Sequence, residues 1–212
     1  MSLMLDSAIL EDARISAALG LAQGGITTNP TLLAKAGKPA EIVIPALCDA
    51  HPGTIFHQLA APTVPEREAE AWRILSLRPG RIGLKITCTL ENLALAKRCM
   101  DAGAVVGMTA IFSPAQIYLA IQAGVAFVFP YVNRSTRLMG DGLGLIRQMR
   151  AVVDAEGSGL EIAAASIKTP EEAVETILAG AHHLTLPLAV IQAMGEHPLS
   201  QQTIAEFNAA GK

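Results

Sequence analysis

Eight short runs of β-type residues alternate with helical segments along the chain. The runs are Leu3–Leu5, Gly25–Thr28, Thr54–Leu59, Ile82–Ile86, Ala104–Thr109, Val125–Phe129, Glu161–Ala165 and His183–Leu186. Apolar residues at 3.6-type spacing fill the intervals, for example at Ile9–Leu19, Pro65–Leu77, Leu90–Ala102, Pro114–Ala123, Gly144–Ala155, Pro170–Leu178 and Leu188–Met194. The punctuation agrees with this alternation. Thr63-x-Pro65-Glu66, Ser113-Pro114 and Thr169-Pro170 set a hydroxyl cap and an early proline at helix starts. Gly103, Gly124 and Gly180 fall just past helix ends. Eight β-α units with short connections predict an α/β fold, a single (β/α)8 TIM barrel over residues 1–212 with a C-terminal helix. The alternative is an open doubly wound sheet, and no strand-end GxGxxG speaks for it.

A barrel of this size needs a large buried core. With 51% apolar and 17% charged residues the chain can supply one. A net charge of −3 gives no basic field for nucleic acid. No apolar run approaches the ~20 residues of a membrane span, and no signal-peptide pattern opens the chain. Cys48, Cys88 and Cys99 lack CxxC spacing and read as reduced thiols, so a cytoplasmic protein is expected. The five histidines have no metal-ligand spacing, so no metal site is expected. Trp72 and most methionines, at helical spacing, are expected in the core.

Parallel barrels carry their active sites at the carboxyl ends of the strands. Here those positions hold Asp6, Thr28-Asn29, Gln58, Lys85, Thr109, Tyr131, Ser166 and Pro187. Lys85 is the most informative. Alternation in Arg81–Ile86 turns Ile82, Leu84 and Ile86 outward and Lys85 inward beside Gly83. A desolvated lysine becomes neutral more easily, and a neutral amine can attack a carbonyl. The same placement also suits a structural ion pair, with Asp6 as the natural partner. Asp6, Thr109 and Tyr131 face inward by the same rule, whereas Gln58 implies an outward His57. Arg134, on an expected loop after strand 6, and Ser166 could hold a phosphate; Arg134 and Arg137 could equally be solvated charges. Gly140–Gly144, before a helix, could present backbone N–H groups, but reads rather as a flexible turn.

The segment Gly25-Ile26-Thr27-Thr28-Asn29-Pro30-Thr31-Leu32-Leu33 resembles the transaldolase family signature. The resemblance continues through Asp6, Lys85, Thr109, Pro130–Arg134, Ala165–Pro170 and Thr185–Pro187, and the short chain is similar to the small-subunit branch, which includes fructose-6-phosphate aldolase. It implies a class I aldolase that needs no metal or organic cofactor and forms an imine on Lys85. Its substrate would be a sugar phosphate or ketose, and the protein a homo-oligomer, pentamer or decamer. Gln58 and Tyr131 are similar to the aldolase members, whereas transaldolases resemble one another in Glu and Phe at these positions. By the same resemblance Tyr131, Gln58 and Thr109 order a proton-carrying water. Asp6 handles the hydroxyl proton at the bond being cleaved. Asn29, with Thr28 beside it, binds the dihydroxyacetone part, and Arg134 with Ser166 binds the phosphate. The chain departs from the family after the lysine. There the usual Lys-(Ile/Val)-Pro and Glu-Gly-Leu are Lys85-Ile86-Thr87 and Glu91-Asn92-Leu93. Aldol cleavage of a ketose phosphate such as fructose 6-phosphate is the leading expectation. Transaldolase transfer of a dihydroxyacetone unit, a non-catalytic sugar-phosphate binding protein, and an isomerase using Asp6 as base are the rivals.

Overall fold

The computed structural model describes residues 2–211; Met1 and Lys212, the two ends of the expected domain, lie outside the described residues. Eight parallel strands close into a barrel in sequence order, each paired with the next and the last with the first. They are β1 (Ser2–Asp6), β2 (Ile26–Thr27), β3 (Ile55–Gln58), β4 (Ile82–Thr87), β5 (Val105–Thr109), β6 (Phe127–Phe129), β7 (Glu161–Ala164) and β8 (His183–Leu186). The fold class is therefore the TIM barrel that the alternation predicts.

Strand parity sorts the side chains. Leu5, Ile26, Ile55, Leu84, Val106, Val128 and Ile162 point outward into the main core against the helices, all of them buried. Inward, Met4, Phe56, Phe129 and Ala163 form a second cluster with Phe127 against it. The rings of Phe56 and Phe129 meet edge to face at 5.3 Å. This plug depends on two glycines. A Cβ on Gly83 would lie 2.7 Å from the Phe56 ring, and one on Gly107 would collide with the Phe129 ring. The space beside Lys85 that Gly83 leaves is thus filled from the neighbouring strand.

Helices form where caps and apolar spacing agree. In α2 (Pro30–Ala36) Asn29 accepts the Leu32 N–H at 3.0 Å, and Pro30 takes the first position. In α4 (Val64–Leu77) Thr63 and Glu66 form a reciprocal capping box. In α9 (Pro170–Leu178) Thr169 accepts from Glu172 N. Between α2 and α4 lies α3 (Ala40–Ala50), and α5 (Leu90–Asp101) follows β4.

Several local expectations are corrected. Arg134 sits not on a loop but in α7 (Val132–Met139), which is only eight residues long and starts at Tyr131 without a side-chain cap to announce it. Gly140–Gly144 is not a free turn: α8 (Gly142–Ala155) starts inside it, and the Asp141 carboxylate takes the Gly144 N–H at 2.6 Å. Trp72 is 39% exposed rather than core. His57 does face out of the barrel, but into a buried contact, with Nε2 2.8 Å from Glu70 Oε1.

After α10 (Leu188–Ala193) the chain ends in α11 (Pro198–Ala210), none of whose residues is buried. Leu199, Ile204 and Phe207 are exposed along it. No helix among the described residues is long and apolar enough to cross a membrane.

Candidate active site

Above the aromatic plug, at the carboxyl ends of the strands, lies a cavity of about 380 Å³. Lys85 rises into it from β4 and is 2% exposed. Its Nζ lies 4.8 Å from the centre of the Phe129 ring. Burial pushes the amine down from 10.5 to about 8, against the opposing pull of the Asp6 carboxylate. Asp6 ends β1 in the same cavity, and its carboxyl is raised, because burial outweighs both the charge of Lys85 and a hydrogen bond from Thr27. Both groups are thus shifted toward their neutral forms, which is what burial does to a pair that cannot fully solvate.

The strand register sets the remaining groups around the amine. Gln58 pairs directly with Lys85 across β3 and β4, and its amide oxygen is buried without a partner. Gly107 of β5 pairs with Lys85 on the other side, and Thr109 stands two residues higher on the same face. The Thr109 hydroxyl is 2.9 Å from the Tyr131 hydroxyl, and Tyr131 itself lines the cavity. Arg134 stacks over the Tyr131 ring at 4.6 Å and borders the cavity together with Asn29, Ser166 and Lys168. Ser166 holds a left-handed backbone, φ 59°. Such a conformation in a non-glycine residue costs of order 1 kcal/mol or more and collects at functional sites.

Of the nine residues singled out from sequence, seven line the cavity: Asp6, Asn29, Gln58, Lys85, Tyr131, Arg134 and Ser166. Thr109 does not line the cavity but touches Tyr131, which does. Thr28 is not brought to the cavity. It is fully buried, and its hydroxyl donates to the Phe56 carbonyl at 3.0 Å.

The family pattern described as Transaldolase/Fructose-6-phosphate aldolase matches residues 3–212. The chain belongs to this family. Membership makes it an enzyme of the aldolase or transaldolase kind. Among its relatives, a probable transaldolase of Symbiobacterium thermophilum is 37% identical over 207 residues, covering 98% of this chain and 95% of the relative. A probable transaldolase of Caulobacter vibrioides is 35% identical over 207 residues, covering 98% and 94%. Among solved structures, a mandelate oxidase crystallised with (S)-2-phenylpropionate superposes with a TM-score of 0.63 at 13% identity. That match covers 89% of this chain and 64% of the oxidase, and at such identity it shows a shared barrel only.

In this transaldolase-family barrel three polar groups escape a reading of strand ends. Thr27 donates to Asp6 at 2.9 Å and lies 2.6 Å from the Thr185 hydroxyl. Parity is the signal that finds Thr27, since it faces inward where Thr28 faces out. Lys35 and Lys168 also border the cavity. Lys35 sits more than a helical turn beyond Asn29, and nothing in the sequence singles it out.

Proposed function

We propose that the chain is a class I aldolase that cleaves and forms a ketose phosphate such as fructose 6-phosphate, by way of an imine on Lys85. The observation that carries this reading is a lysine buried at the base of a polar cavity, where desolvation pushes its amine down to about 8. An amine that stays protonated is not a nucleophile, and desolvation is how a lysine is prepared for carbonyl attack.

In the cleavage direction the Lys85 amine adds to the ketone carbon, and loss of water gives a protonated imine. Asp6 takes the proton from the hydroxyl on the far carbon of the bond to be broken, the carbon that becomes the aldehyde. That bond's electron pair flows into the imine, giving an enamine, and the aldehyde phosphate leaves. The enamine carbon then takes a proton from a water held by Tyr131 and Gln58, with Thr109 fixing the Tyr131 hydroxyl. Hydrolysis frees dihydroxyacetone and restores the amine. Asn29 serves the dihydroxyacetone part, while Arg134 and Ser166 serve the phosphate, where a guanidinium suits a phosphate's paired oxygens.

The names of the relatives favour a second reading, transaldolase transfer, in which the enamine is passed to another aldose phosphate instead of being protonated. Free dihydroxyacetone as a product distinguishes aldolase from transferase. The decisive test of both is borohydride reduction in the presence of fructose 6-phosphate or dihydroxyacetone, followed by peptide mass mapping. A reduced adduct on Lys85 is expected. No adduct over a wider ketose panel would overturn the imine mechanism.

A homo-oligomer belongs to the same proposal. The exposed helix α11, with Leu199, Ile204 and Phe207 open along it, supports it, since such a face is normally covered. Removing residues 198–212 is expected to lower the mass seen by light scattering to that of smaller species. An unchanged assembly would count against α11 as the contact.

A further inference from the structure

Outside the cavity, the loops that follow Gln58 and Lys85 are tied together by one buried polar cluster. Asn92, in the first turn of α5, is 1% exposed. Its Nδ2 donates to the Thr87 carbonyl at 2.9 Å and to the Thr87 hydroxyl at 2.8 Å. Its Oδ1 accepts from Arg67 Nε at 3.0 Å. Arg67, on α4, directs its other N–H groups to the Ala61 carbonyl at 3.1 Å, the Pro62 carbonyl at 3.0 Å and Glu91 at 2.8 Å. From the same helix, the Glu70 carboxylate accepts the N–H groups of Ala60 and Ala61, each at 3.0 Å. Burial opposes the charge of Glu70, but the His57 contact and these N–H groups together hold its carboxyl below its ordinary range.

The cluster therefore grips the backbone just above both reacting positions. Thr87 lies two residues beyond Lys85 on β4, and Ala60–Pro62 follow Gln58 closely. Between them Leu59 N–H donates to the Lys85 carbonyl at 3.0 Å. The two departures from the family pattern, Thr87 for proline and Asn92 for glycine, are the two ends of a single contact. A proline stiffens this stretch by fixing its own φ. Here an amide bridge restrains it, and Arg67 fixes the orientation of that amide. Asn92 is satisfied at both its amide nitrogen and its amide oxygen, and a buried polar group satisfied in this way rigidifies the segments it joins.

We propose that Asn92 and Arg67 are positioning residues for the proton step at the enamine. They hold Thr87 and the 59–62 loop so that the Gln58 amide stays against the Lys85 adduct. The inference rests on the aldolase reading above. The phosphate-binding groups Arg134 and Ser166 stand on α7 and after β7, away from the clasp, so ground-state binding should be spared.

The test compares wild type, Asn92→Leu and Arg67→Lys in ketose cleavage, in deuterium exchange of dihydroxyacetone followed by NMR, and in borohydride trapping. Misplacing a catalytic group by about 1 Å can cost on the order of a hundredfold. A lost tether, with the group itself retained, is expected to cost about tenfold. The expected result is that kcat and deuterium exchange fall together by about that factor. KM should stay within about twofold, and Lys85 should still trap. If Asn92→Leu does not fold, Arg67→Lys, which keeps the charge, decides alone. Unchanged kcat in a folded variant, or a loss confined to KM or to melting temperature, overturns the clasp. No adduct on wild-type Lys85 overturns the aldolase reading, and the clasp with it.

Discussion

The Asp6→Asn substitution separates the two influences on the Lys85 amine. Burial lowers its pKa, and the Asp6 carboxylate raises it, leaving it at about 8. At pH 7 a group titrating at 8 is about 9% neutral, whereas an ordinary lysine is neutral to only about 0.03%, so burial and Asp6 together leave a reactive fraction roughly 300-fold above the ordinary one. An opposite charge at close range moves a pKa by about one to three pH units. Asp6 is itself shifted toward protonation, so the lower end applies. An uncharged amide in place of this carboxylate should therefore lower the amine midpoint by about one unit and raise the neutral fraction at pH 7 to roughly half. The assay is the initial rate of borohydride-trapped adduct with dihydroxyacetone, followed from about pH 5.5 to 9.5. Trapping is used because loss of Asp6 should also impair cleavage. In wild type the rate should climb with pH through a midpoint near 8; in the variant the midpoint should fall near 7. A wild-type midpoint above about 10, or a variant midpoint that stays or rises, would refute the account of how Lys85 is activated.

Two further outcomes follow from the same geometry. The folded amine titrates at about 8 and the unfolded one near 10.5, so the unfolded chain holds the extra proton between these values. Folding stability contributed by this group should therefore rise with pH across that window, by roughly 3–4 kcal/mol at most, and the penalty is fully present below pH 8. Denaturant unfolding of wild type and Lys85→Met at about pH 7.5 and 10 reads it, and a difference between the two proteins that does not change with pH would count against it. Arg134→Gln removes a charged donor from the proposed phosphate end of the cavity, an interaction worth about 1.5–3 kcal/mol. KM for a phosphorylated ketose should rise about ten- to a hundredfold, with trapping of unphosphorylated dihydroxyacetone within about twofold. Equal losses for both would place Arg134 elsewhere in the reaction.

The architecture is legible in the sequence because both of its periods are local. Parity alone turns Lys85, Asp6 and Thr109 inward, and each is where the alternation predicts. Helix α7 is not legible, since Val132–Met139 is only eight residues long and no side-chain cap announces its start. Thr28 draws attention by its adjacency to Asn29, although parity favours Thr27, the residue before it. Of the clasp, the sequence shows only that Thr87 and Asn92 depart from the family pattern, not that they meet. Arg67, Glu70 and Asn92 are ordinary helix residues until the barrel sets α4 beside α5, and a contact of sequence separation 25 has no local signature. Trp72 at core spacing remains 39% exposed, because a helix carries more apolar positions than the barrel surface beneath it can cover.

The plug of Phe56, Phe127 and Phe129 divides the site into two storeys with different tolerance for change. The lower one, where Gly83 and Gly107 leave no room for another atom, packs beneath Lys85 and fixes where its amine stands. On the mechanism proposed above, the upper one, carried by Gln58, Tyr131 and Arg134, decides what happens to the enamine and which phosphate is held. Lineages built on this plan can therefore exchange one sugar, or one fate of the same intermediate, by single replacements on the upper storey. A replacement below alters every reaction the barrel performs.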